Sequence, residues 1–459
     1  MGPILDAFER VASVQPHREA LWSRGEGLRL SFARLVERVR DRAAQLPRGA
    51  GLPVALAVGN VAAFPELFLA LRRNGAVVVS LDAGLPSATL RETCRTLGIP
   101  WLLEREQAAA GAPEGTDLGE GIRLVPLPGV EAAPTPPGTA LVKLTSGSTG
   151  RPRGVCFTEE ALFTGIGQIA EGMGISRADR VLIAIPLSHS YGFDSGVLSL
   201  AVVGTPLVLA SGRFPRPLIA ALAEAQATVL PMVPPLVHAL GRTAWPPGLP
   251  LRLAISAGGP LGDESARQFR RRSGRPVHQF YGATEAGGIT FERWPEEPAA
   301  AGAVGHPLPG VEVELDAGGS VQVRSGANLT GDLGTAEGGG TRVVRTGDRG
   351  AWTPEGRLRL VGRNTEILNI GGRKVPAASI EAALRGLEGV EEAAAVGVED
   401  PVRGDRVIAF VVTSRDRLDI SRLPAVLAPR EVRRVERLPY TERGKLDRAR
   451  LREMAREPS

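Results

Sequence analysis

Short apolar runs alternate with amphipathic stretches from about residue 51 onward. Apolar runs at 54–59 and 76–82 predict buried strands, and the amphipathic stretch 65–75 between them predicts a helix that ends at Gly75. The same alternation returns between residues 181 and 258. Because strands separated by helical patterns are typical of crossover connections, the sequence predicts an α/β fold with mixed or parallel sheets flanked by helices.

The pattern changes in the last third of the chain. Short alternating runs separated by Gly-rich turns predict a β-rich subdomain over about 300–361. One amphipathic helix, two apolar strands and a basic tail then indicate a small α+β domain that could fold separately. We therefore predict a large N-terminal domain (1–361) and a small C-terminal domain (362–459), with 105–140 as a Gly-, Pro- and Ala-rich loop.

Composition narrows the class of protein. The 459 residues are 43% hydrophobic and 23% charged, which is enough to bury a core. The sequence contains no apolar stretch of about 18 residues, and its first residues lack the order of a signal peptide. Its two cysteines lack the spacing of a disulfide framework or a zinc site. We expect a cytoplasmic protein without a membrane span.

Positive charge is concentrated near the C-terminus. Residues 403–459 carry 15 basic and 9 acidic side chains, while the whole chain has a net charge of +5. Such a surplus is typical of a solvated surface, or of one that meets a polyanion such as a nucleotide, coenzyme A or an acidic carrier protein. Nucleic acid is not expected as a partner, because no aromatic residues interleave with the arginines.

Lysine is rare in this chain. Three of the 55 basic residues are lysines, namely Lys143, Lys374 and Lys445, and the rest are arginines. A compositional bias explains the scarcity. The positions of the three lysines still matter, because a compact ammonium is not interchangeable with a guanidinium fork.

The segment 144–154 is the strongest local motif. Its hydroxyl residues alternate with glycines directly after a predicted strand, so backbone N–H groups and hydroxyls can surround anionic oxygens. We interpret it as a phosphate-binding loop, with a flexible linker as the alternative. It is not a Walker A loop, because no Gly-Lys-Ser/Thr sequence closes it. Thr158 is a candidate N-cap for the next helix, and the dinucleotide-like pair Gly165 and Gly167 lies inside that helix, where the fingerprint has no meaning.

Five segments follow one another along the chain: the loop 144–154, FYGATEAG at 280–287, RTGD at 345–348, GRNTEILNIGG at 362–372 and LPYTERGKLDR at 438–448. They resemble, in family order, the motifs of the adenylate-forming superfamily of acyl- and aryl-CoA ligases, peptide-synthetase adenylation domains and luciferases. The resemblance implies that 362–372 is the hinge of a small, mobile C-terminal domain. Five matches in order over this span identify the chain as a member.

The resemblance implies a role for each motif. Thr284 would contact the α-phosphate of ATP, Glu285 would hold Mg²⁺, and Asp348 would bind the ribose hydroxyls. Lys445 would be catalytic, bridging the acyl carboxylate and the phosphate, where a fixed positive charge has its largest effect. The remaining nucleotide- and thiol-binding residues that it implies are Thr145, Ser146, Gly147, Ser148, Thr149, Gly150, Arg153, Gly258, Tyr281, Gly282, Arg363, Gly371, Gly372 and Lys374.

The segment 186–192 narrows the subfamily. It resembles the Pro-Leu-x-His stretch of CoA ligases, in which His189 would act at a gate beside the acyl pocket; a purely structural histidine is the alternative. Ser190 stands where we expect the amine-binding Asp of peptide-synthetase domains, which argues against an α-amino acid substrate. Asp194 either faces away from the pocket or faces a polar group of the substrate, because an unpaired carboxylate is costly against an alkyl chain.

Three positions depart from the family pattern. Arg153 replaces the usual lysine of the phosphate loop, Thr365 replaces the usual hinge residue, and the stretch 331–340 replaces a helix and an aromatic turn. The family offers no role for Lys143, which we expect to be solvated at a strand edge. These departures concern the pocket outline and the hinge more than the nucleotide chemistry.

The resemblance implies an AMP-forming acyl-CoA synthetase-like ligase that uses ATP, Mg²⁺ and coenzyme A. A small carboxylic acid would first be adenylated and then transferred to the thiol. One alternative is an enzyme that loads an acyl or aryl acid onto the phosphopantetheine of an acyl carrier protein. A degenerate, non-catalytic nucleotide-binding protein is a third possibility, which the intact Thr284, Glu285, Asp348 and Lys445 disfavour.

Overall fold

The fold is described from a computed structural model. It describes residues 2–105, 115–146, 152–210, 212, 214–293, 302–338, 343–363, 367–370, 373–400, 404–415, 418–420, 423–424, 427–441 and 445–457.

Helices flank and separate the sheets. In chain order they are α1 (Pro3–Val14), α2 (Phe32–Gln45), α3 (Ala63–Arg73), α4 (Ser87–Leu97), α5 (Glu159–Met173), the single turn α6 (Ser190–Gly192), a π-helix (Phe193–Val203), α7 (Pro215–Ala225), α8 (Pro234–Gly241), α9 (Asp263–Ser273), α10 (Ala377–Arg385) and α11 (Arg448–Arg456). Local chemistry sets several of their ends. Ser31 caps α2 by accepting from the N–H of Arg34, and Thr158 caps α5 by accepting from the N–H of Ala161, as predicted.

The strands form three sheets. In chain order they are β1 (Glu19–Ser23), β2 (Leu28–Ser31), β3 (Pro53–Ala57), β4 (Val77–Ser80), β5 (Trp101–Arg105), β6 (Thr116–Asp117), β7 (Ile122–Pro126), β8 (Thr139–Ser146), β9 (Pro152–Thr158), β10 (Val181–Ile183), β11 (Leu207–Leu209), β12 (Val229–Met232), β13 (Leu253–Ser256), β14 (Val277–Ala283), β15 (Gly287–Phe291), β16 (Ala303–Pro307), β17 (Glu312–Leu315), β18 (Ser320–Arg324), β19 (Gly331–Asp332), β20 (Val344–Trp352), β21 (Leu358–Arg363), β22 (Ile367–Ile370), β23 (Arg373–Pro376), β24 (Val390–Asp400), β25 (Gly404–Thr413) and β26 (Glu431–Arg434).

An eight-stranded sheet runs in the order β19-β9-β8-β4-β3-β5-β7-β6, with a parallel centre from β8 to β5. Successive side chains of its strands point to opposite faces. Leu56 and Val78 therefore face the large central core, whereas Ala55 and Val79 join the cluster that α4 covers. The expectation of a loop over 105–140 is wrong where β7 adds an antiparallel strand beside β5.

A thirteen-stranded sheet runs in the order β17-β18-β20-β21-β16-β15-β14-β13-β12-β10-β11-β1-β2. Its parallel strands, β14 through β11 and on to β1, are the predicted crossover units. The short strands predicted after residue 300 extend the same path in antiparallel fashion. Helices α7, α8 and α9 cover one face of this sheet, through residues such as Leu218, Leu236 and Phe269.

The two large sheets share one core. Ile183 and Ile255 from the thirteen-stranded sheet meet the face of the eight-stranded sheet that carries Leu56, with α3, α5 and the π-helix contributing Phe68, Ile166 and Val197. The layers are therefore helix, sheet, helix, sheet, helix, which confirms the predicted α/β class. Gly165 and Gly167 lie inside α5, so the dinucleotide fingerprint is correctly rejected.

The chain from residue 367 onward forms its own sheet and its own cores. The five strands run in the order β23-β22-β25-β24, with β26 pairing beside β25. Ile380 of α10 packs on one face with Ala409, and Leu451 of α11 packs on the other face with Phe410. This small α+β unit agrees with the predicted C-terminal domain in kind, while the boundary at residue 361 stays a prediction.

Candidate active site

The hairpin of β8 and β9 carries the proposed phosphate loop. Thr145 lies opposite Arg153 in the antiparallel ladder, close to the point where both strands run into the loop. The guanidinium of Arg153 donates two hydrogen bonds to the carboxylate of Asp332, at 2.9 and 2.8 Å. These bonds raise the pKa of Arg153, and the nearby charge of Glu285 contributes further. The predicted loop residues Gly147, Ser148, Thr149 and Gly150 lie outside the described residues, as does the side chain of Ser146.

The hairpin of β14 and β15 carries the second motif. Gly282 packs so closely that an added Cβ would lie 2.6 Å from the carbonyl oxygen of Gly287, so the backbone needs glycine there. Thr284 and Glu285 lie half-buried in the turn between the two strands. Within the described part of the chain, the Glu285 carboxylate makes no hydrogen bond or salt bridge. It therefore remains available for a ligand.

The segment 329–332 joins these two hairpins. The N–H of Leu329 donates to the carbonyl of Glu285 at 2.8 Å, and the N–H of Thr330 donates to the carbonyl of Cys156 in β9 at 2.9 Å. Asp332 then pairs with β9 and holds Arg153. The segment 329–332, whose last two residues begin the stretch that departs from the family pattern, thus connects the hairpin of β8 and β9 to the Thr284–Glu285 turn.

Tyr281 and Asp348 meet although 67 residues separate them. The phenol of Tyr281 donates to the Asp348 carboxylate at 2.7 Å, and the Asp348 N–H donates to the hydroxyl of Thr346 at 3.1 Å. Tyr281 is buried, whereas Asp348 is half-exposed. The carboxylate is thus oriented from inside the protein and still faces an approaching ligand.

The other predicted nucleotide contact is Gly258, at the end of β13. It is exposed and adopts a left-handed φ of +86°, which favours glycine. Two residues earlier, Ser256 is 2% exposed, and its hydroxyl has no hydrogen-bond partner among the described residues.

His189 lies in the irregular segment that leads into the π-helix. Ser80 donates to the carbonyl of Ser188 at 2.9 Å. A Cβ on Gly192 would lie 2.1 Å from the carbonyl oxygen of Pro186, so the chain closes tightly on both sides of the histidine. The imidazole Nε2 of His189 is 3.6 Å from the carboxylate of Asp82 and makes no hydrogen bond within the described residues.

Lys143 is not a solvated residue at a strand edge. It lies in β8, between β4 and β9, and is 4% exposed. Its Nζ is 3.0 and 3.4 Å from the two carboxylate oxygens of Asp194. Burial raises the pKa of Asp194, and the ammonium of Lys143 opposes that shift. The prediction of strand-edge solvation is therefore wrong, and the Asp194 carboxylate is paired with a cation inside the protein. The scarcity of lysine is the signal by which the sequence marks this position.

Lys445 stands on an exposed hairpin of the small C-terminal unit. Its N–H donates to the hydroxyl of Thr441 at 3.3 Å, and its carbonyl accepts from the N–H of Thr441 at 2.8 Å. Tyr440 bridges to Leu446 and donates to the carboxylate of Glu392 at 3.0 Å. These contacts give the lysine a defined base while its side chain faces solvent.

The rest of the C-terminal prediction is only partly visible. Arg363 and Lys374 lie in β21 and β23, but their side chains are outside the described residues. Thr365, Gly371 and Gly372 also lie outside them. Arg242, directly after α8, forms a salt bridge with Glu391 of β24, which joins the C-terminal unit to the rest of the chain.

Two family models match this chain. Residues 8–333 match the model described as AMP-binding enzyme, and residues 379–445 match the model described as AMP-binding enzyme C-terminal domain. Oxalate–CoA ligase from Arabidopsis thaliana is 28% identical, over 96% of this chain and 96% of that protein. 2-Succinylbenzoate–CoA ligase from Bacillus pumilus (strain SAFR-032) is 30% identical, over 68% of each chain.

The fold also has counterparts among solved structures. The amide bond synthetase McbA from Marinactinospora thermotolerans superposes with a TM-score of 0.78 and 27% identity, over 99% of this chain and 100% of that one. Within the described ranges, none of the helices is both long enough and apolar enough to cross a bilayer.

Proposed function

Because this chain belongs to the AMP-binding enzyme family, we propose that it is an ATP-dependent ligase that activates a carboxylic acid and transfers the acyl group to coenzyme A. A carboxylate oxygen attacks the α-phosphorus of ATP, and the bond to pyrophosphate breaks. The thiol sulfur then attacks the acyl carbonyl carbon, the bond to AMP breaks, and the thiol loses its proton. The names of the two CoA ligase relatives support the acid and the thiol.

One observation carries the proposal. The segment 329–332 connects the phosphate-loop hairpin to the turn of Thr284 and Glu285, so the cationic Arg153 lies near the Glu285 carboxylate. A loop of N–H and hydroxyl donors next to Arg153 suits the departing pyrophosphate. The hydroxyl of Thr284 would contact the α-phosphate, where the new bond forms.

The nucleoside would lie on the neighbouring strand ends. Asp348 would accept from the ribose hydroxyls, with its carboxylate held in place by Tyr281. Gly258 would leave room for the flat base, since no side chain projects from it. Gly282 would let the β14 strand end approach the ligand closely.

Glu285 fits the proposed magnesium ion. Mg²⁺ prefers oxygen ligands and usually combines one or two carboxylates with substrate phosphates and waters. Glu285 offers a half-buried carboxylate that has no hydrogen-bond partner in the described chain, and no group of three acidic, His or Cys side chains that could hold an ion occurs there. When bound, the ion would neutralise charge on the phosphates.

Lys445 would act in the first half-reaction. A compact ammonium between the acid and the α-phosphate offsets the repulsion of two anions. For the second half-reaction, the C-terminal unit would rotate near Thr365, so that Gly371, Gly372 and Lys374 line the thiol path beside Arg363. The rotation is needed because Lys374 lies in β23 at one edge of the five-stranded sheet, whereas the hairpin of Lys445 contacts β24 at the other edge through Tyr440 and Glu392.

The acid itself would have a tail without a cationic group. The carboxylate of Asp194 is already neutralised by Lys143, so it does not need a cation from the substrate. Ser190 likewise offers no charge to an ammonium. We therefore propose aliphatic, aryl or dicarboxylic acids, and not α-amino acids.

The test is a pyrophosphate-release screen of the purified full-length chain with ATP and Mg²⁺. Octanoate, benzoate, oxalate and 2-succinylbenzoate serve as probe acids, each with and without coenzyme A. We expect acid-dependent pyrophosphate release and, with coenzyme A, an acyl-CoA product detected by mass. No release with any acid would contradict the proposal, because adenylation is its first step.

The molecule that accepts the acyl group needs a test of its own. The basic surplus of residues 403–459 also suits an acidic carrier protein, whose phosphopantetheine carries the same thiol. Saturation by coenzyme A supports our proposal, whereas turnover that requires a phosphopantetheinylated carrier protein supports the alternative. Because a structural counterpart is named an amide bond synthetase, an amine is included as a third acceptor.

A further inference from the structure

The ion pair of Lys143 and Asp194 joins two parts of the proposed active site that lie 51 residues apart. Both residues are buried, with 4% and 9% exposure. The ammonium lies 5.1 Å from the ring centre of Phe157 and 5.7 Å from that of Phe193. Desolvation makes such a pair a weak source of net stability compared with apolar residues of the same shape. Stability alone therefore gives little reason for two charges here.

The two partners differ in how firmly their backbones are held. Lys143 is in register with Ser80 of β4 on one side and with Val155 of β9 on the other. Asp194 lies in the first turn of the π-helix, two residues after the single turn α6. Lys143 is thus the fixed partner, and Asp194 is the partner whose position the contact sets.

A second contact holds the same segment from the same strand face. Ser80 stands beside Lys143 on the neighbouring strand, and its hydroxyl donates to the carbonyl of Ser188 at 2.9 Å. His189 therefore lies between two anchored positions, Ser188 and Asp194. Both anchors come from the sheet whose β8 strand continues into the phosphate loop.

We propose that Lys143 and Ser80 are positioning residues that hold the segment 188–194, and with it His189, at a fixed distance from the strands β8 and β4. They act through that segment and touch neither ATP nor the acid. The inference rests on the proposed function, because it assigns the segment to the wall of the acid site. It explains why a charged pair is present where an apolar pair would fit.

The consequence falls on the acid and not on ATP. Removing the pair leaves β8 hydrogen-bonded to β4 and β9, so the phosphate loop keeps its base. The segment 188–194 loses the contact that sets its distance from that strand. A small misplacement in an active site can lower the rate by about 100-fold, so catalytic efficiency toward the acid is the sensitive quantity.

The experiment replaces both charges by apolar side chains of similar shape, Lys143→Met with Asp194→Leu. Acid-dependent ATP–pyrophosphate exchange is measured with the probe, among octanoate, benzoate, oxalate and 2-succinylbenzoate, that wild type uses best. We expect a Tm near that of wild type, because neither partner is left as an unpaired buried charge. We expect kcat/KM for the acid to fall about 10- to 100-fold, with KM for ATP unchanged within about twofold.

Ser80→Ala is the second variant and does not depend on the first one folding. It removes one neutral hydrogen bond, so we expect kcat/KM for the acid to fall about fivefold, again without a change in KM for ATP. Asp179→Asn is the matched control. Asp179 is equally buried and binds Arg252, but at the opposite, amino-terminal ends of the parallel strands. It should lower Tm and leave the acid kinetics unchanged.

Two results would overturn the inference while the proposed function stands. One is an active wild type with unchanged acid kinetics in the double variant or in Ser80→Ala. The other is a rise in KM for ATP as large as the effect on the acid. A wild type that shows no exchange with any of the four acids would instead overturn the proposed function itself.

Discussion

Lys143 and Lys445 are the same residue type in opposite surroundings. Lys143 lies in the central strand β8, buried and paired with Asp194. Lys445 lies on an exposed hairpin at the C-terminal end of the chain, held through its backbone by Thr441. In a chain with three lysines among 55 basic residues, both positions retain an ammonium.

The two sites require different properties of a cation. A buried cation must be compact and must meet a carboxylate, because desolvation is costly. An exposed cation can reach a ligand, and its charge becomes strong only when the site closes and excludes water. We therefore expect Lys143 to affect the stability of the folded state and the position of the segment 188–194. Lys445, in contrast, is expected to affect the rate of adenylation.

The largest effect is expected from removing the buried lysine. Lys143→Met leaves Asp194 without a counter-charge, so we expect the free energy of unfolding to fall by about 3–5 kcal/mol. Urea unfolding of the single and double variants measures this loss. Recovery is expected in Lys143→Met with Asp194→Leu, and a double variant as unstable as the single one would contradict the account.

The same variant has a pH signature. Burial raises the pKa of the Asp194 carboxyl, and loss of the ammonium that opposes the shift raises it further. The Asp194 carboxyl then binds its proton more tightly in the folded state than in the unfolded state, in which the pKa of an Asp side chain is about 3.9. Stability of Lys143→Met relative to wild type therefore falls as pH rises, with a larger deficit at about pH 8 than at about pH 5. A deficit independent of pH would count against the ion pair.

The next largest effect is expected from removing the exposed lysine. For Lys445→Ala we expect adenylation to slow by about 100- to 1,000-fold, because one preorganised positive group is lost. Tm should stay nearly constant, since an exposed side chain contributes little to stability. Pyrophosphate exchange and thioester formation from pre-made acyl-adenylate are measured separately. Equal loss in both steps would contradict the use of Lys445 in the first step alone, and Arg452→Ala on α11 is the control for charge.

A smaller effect is expected at the pair of Tyr281 and Asp348, which combines a buried and a half-exposed side chain. Tyr281→Phe removes the hydrogen bond that orients Asp348, so we expect KM for ATP to rise about tenfold. With 2′-deoxy-ATP the difference between variant and wild type should shrink, because Asp348 is assigned to the ribose hydroxyls. Tyr191→Phe serves as the control, because it also removes one tyrosine hydroxyl, which in wild type donates to the carbonyl of Ile255. An equal rise in KM for ATP and for 2′-deoxy-ATP would contradict the assignment of Asp348 to the ribose hydroxyls.

The smallest effect concerns the exposed pair of Arg153 and Asp332. Their side chains are 49% and 37% exposed. For Asp332→Asn we expect a loss of less than about 1 kcal/mol in the free energy of unfolding, because solvent and salt screen such pairs. Urea unfolding at low and high salt measures it. A loss as large as that of Lys143→Met would show that burial does not separate the two pairs.

Much of the fold and of the motif set is readable from the sequence. The strands predicted at 54–59 and 76–82 and the helix between them correspond to β3, β4 and α3, because periods of 2 and 3.6 residues are written locally. Thr158 caps its helix as expected, since an N-cap depends on three neighbouring residues. The strand β7 was missed because its apolar run sits in Gly- and Pro-rich surroundings that indicate a loop.

The partnerships inside the site were not readable in this way. Lys143 meets Asp194 across 51 residues, Tyr281 meets Asp348 across 67, and Arg153 meets Asp332 across 179. Each contact joins elements that become neighbours through sheet order and layer packing, which no local period encodes. Sequence alone sufficed for the family and the α/β class, while the roles of the predicted site residues stay predictions. Which charges are buried and which pairs hold the site was set by packing, because burial and distance exist only once the layers have assembled.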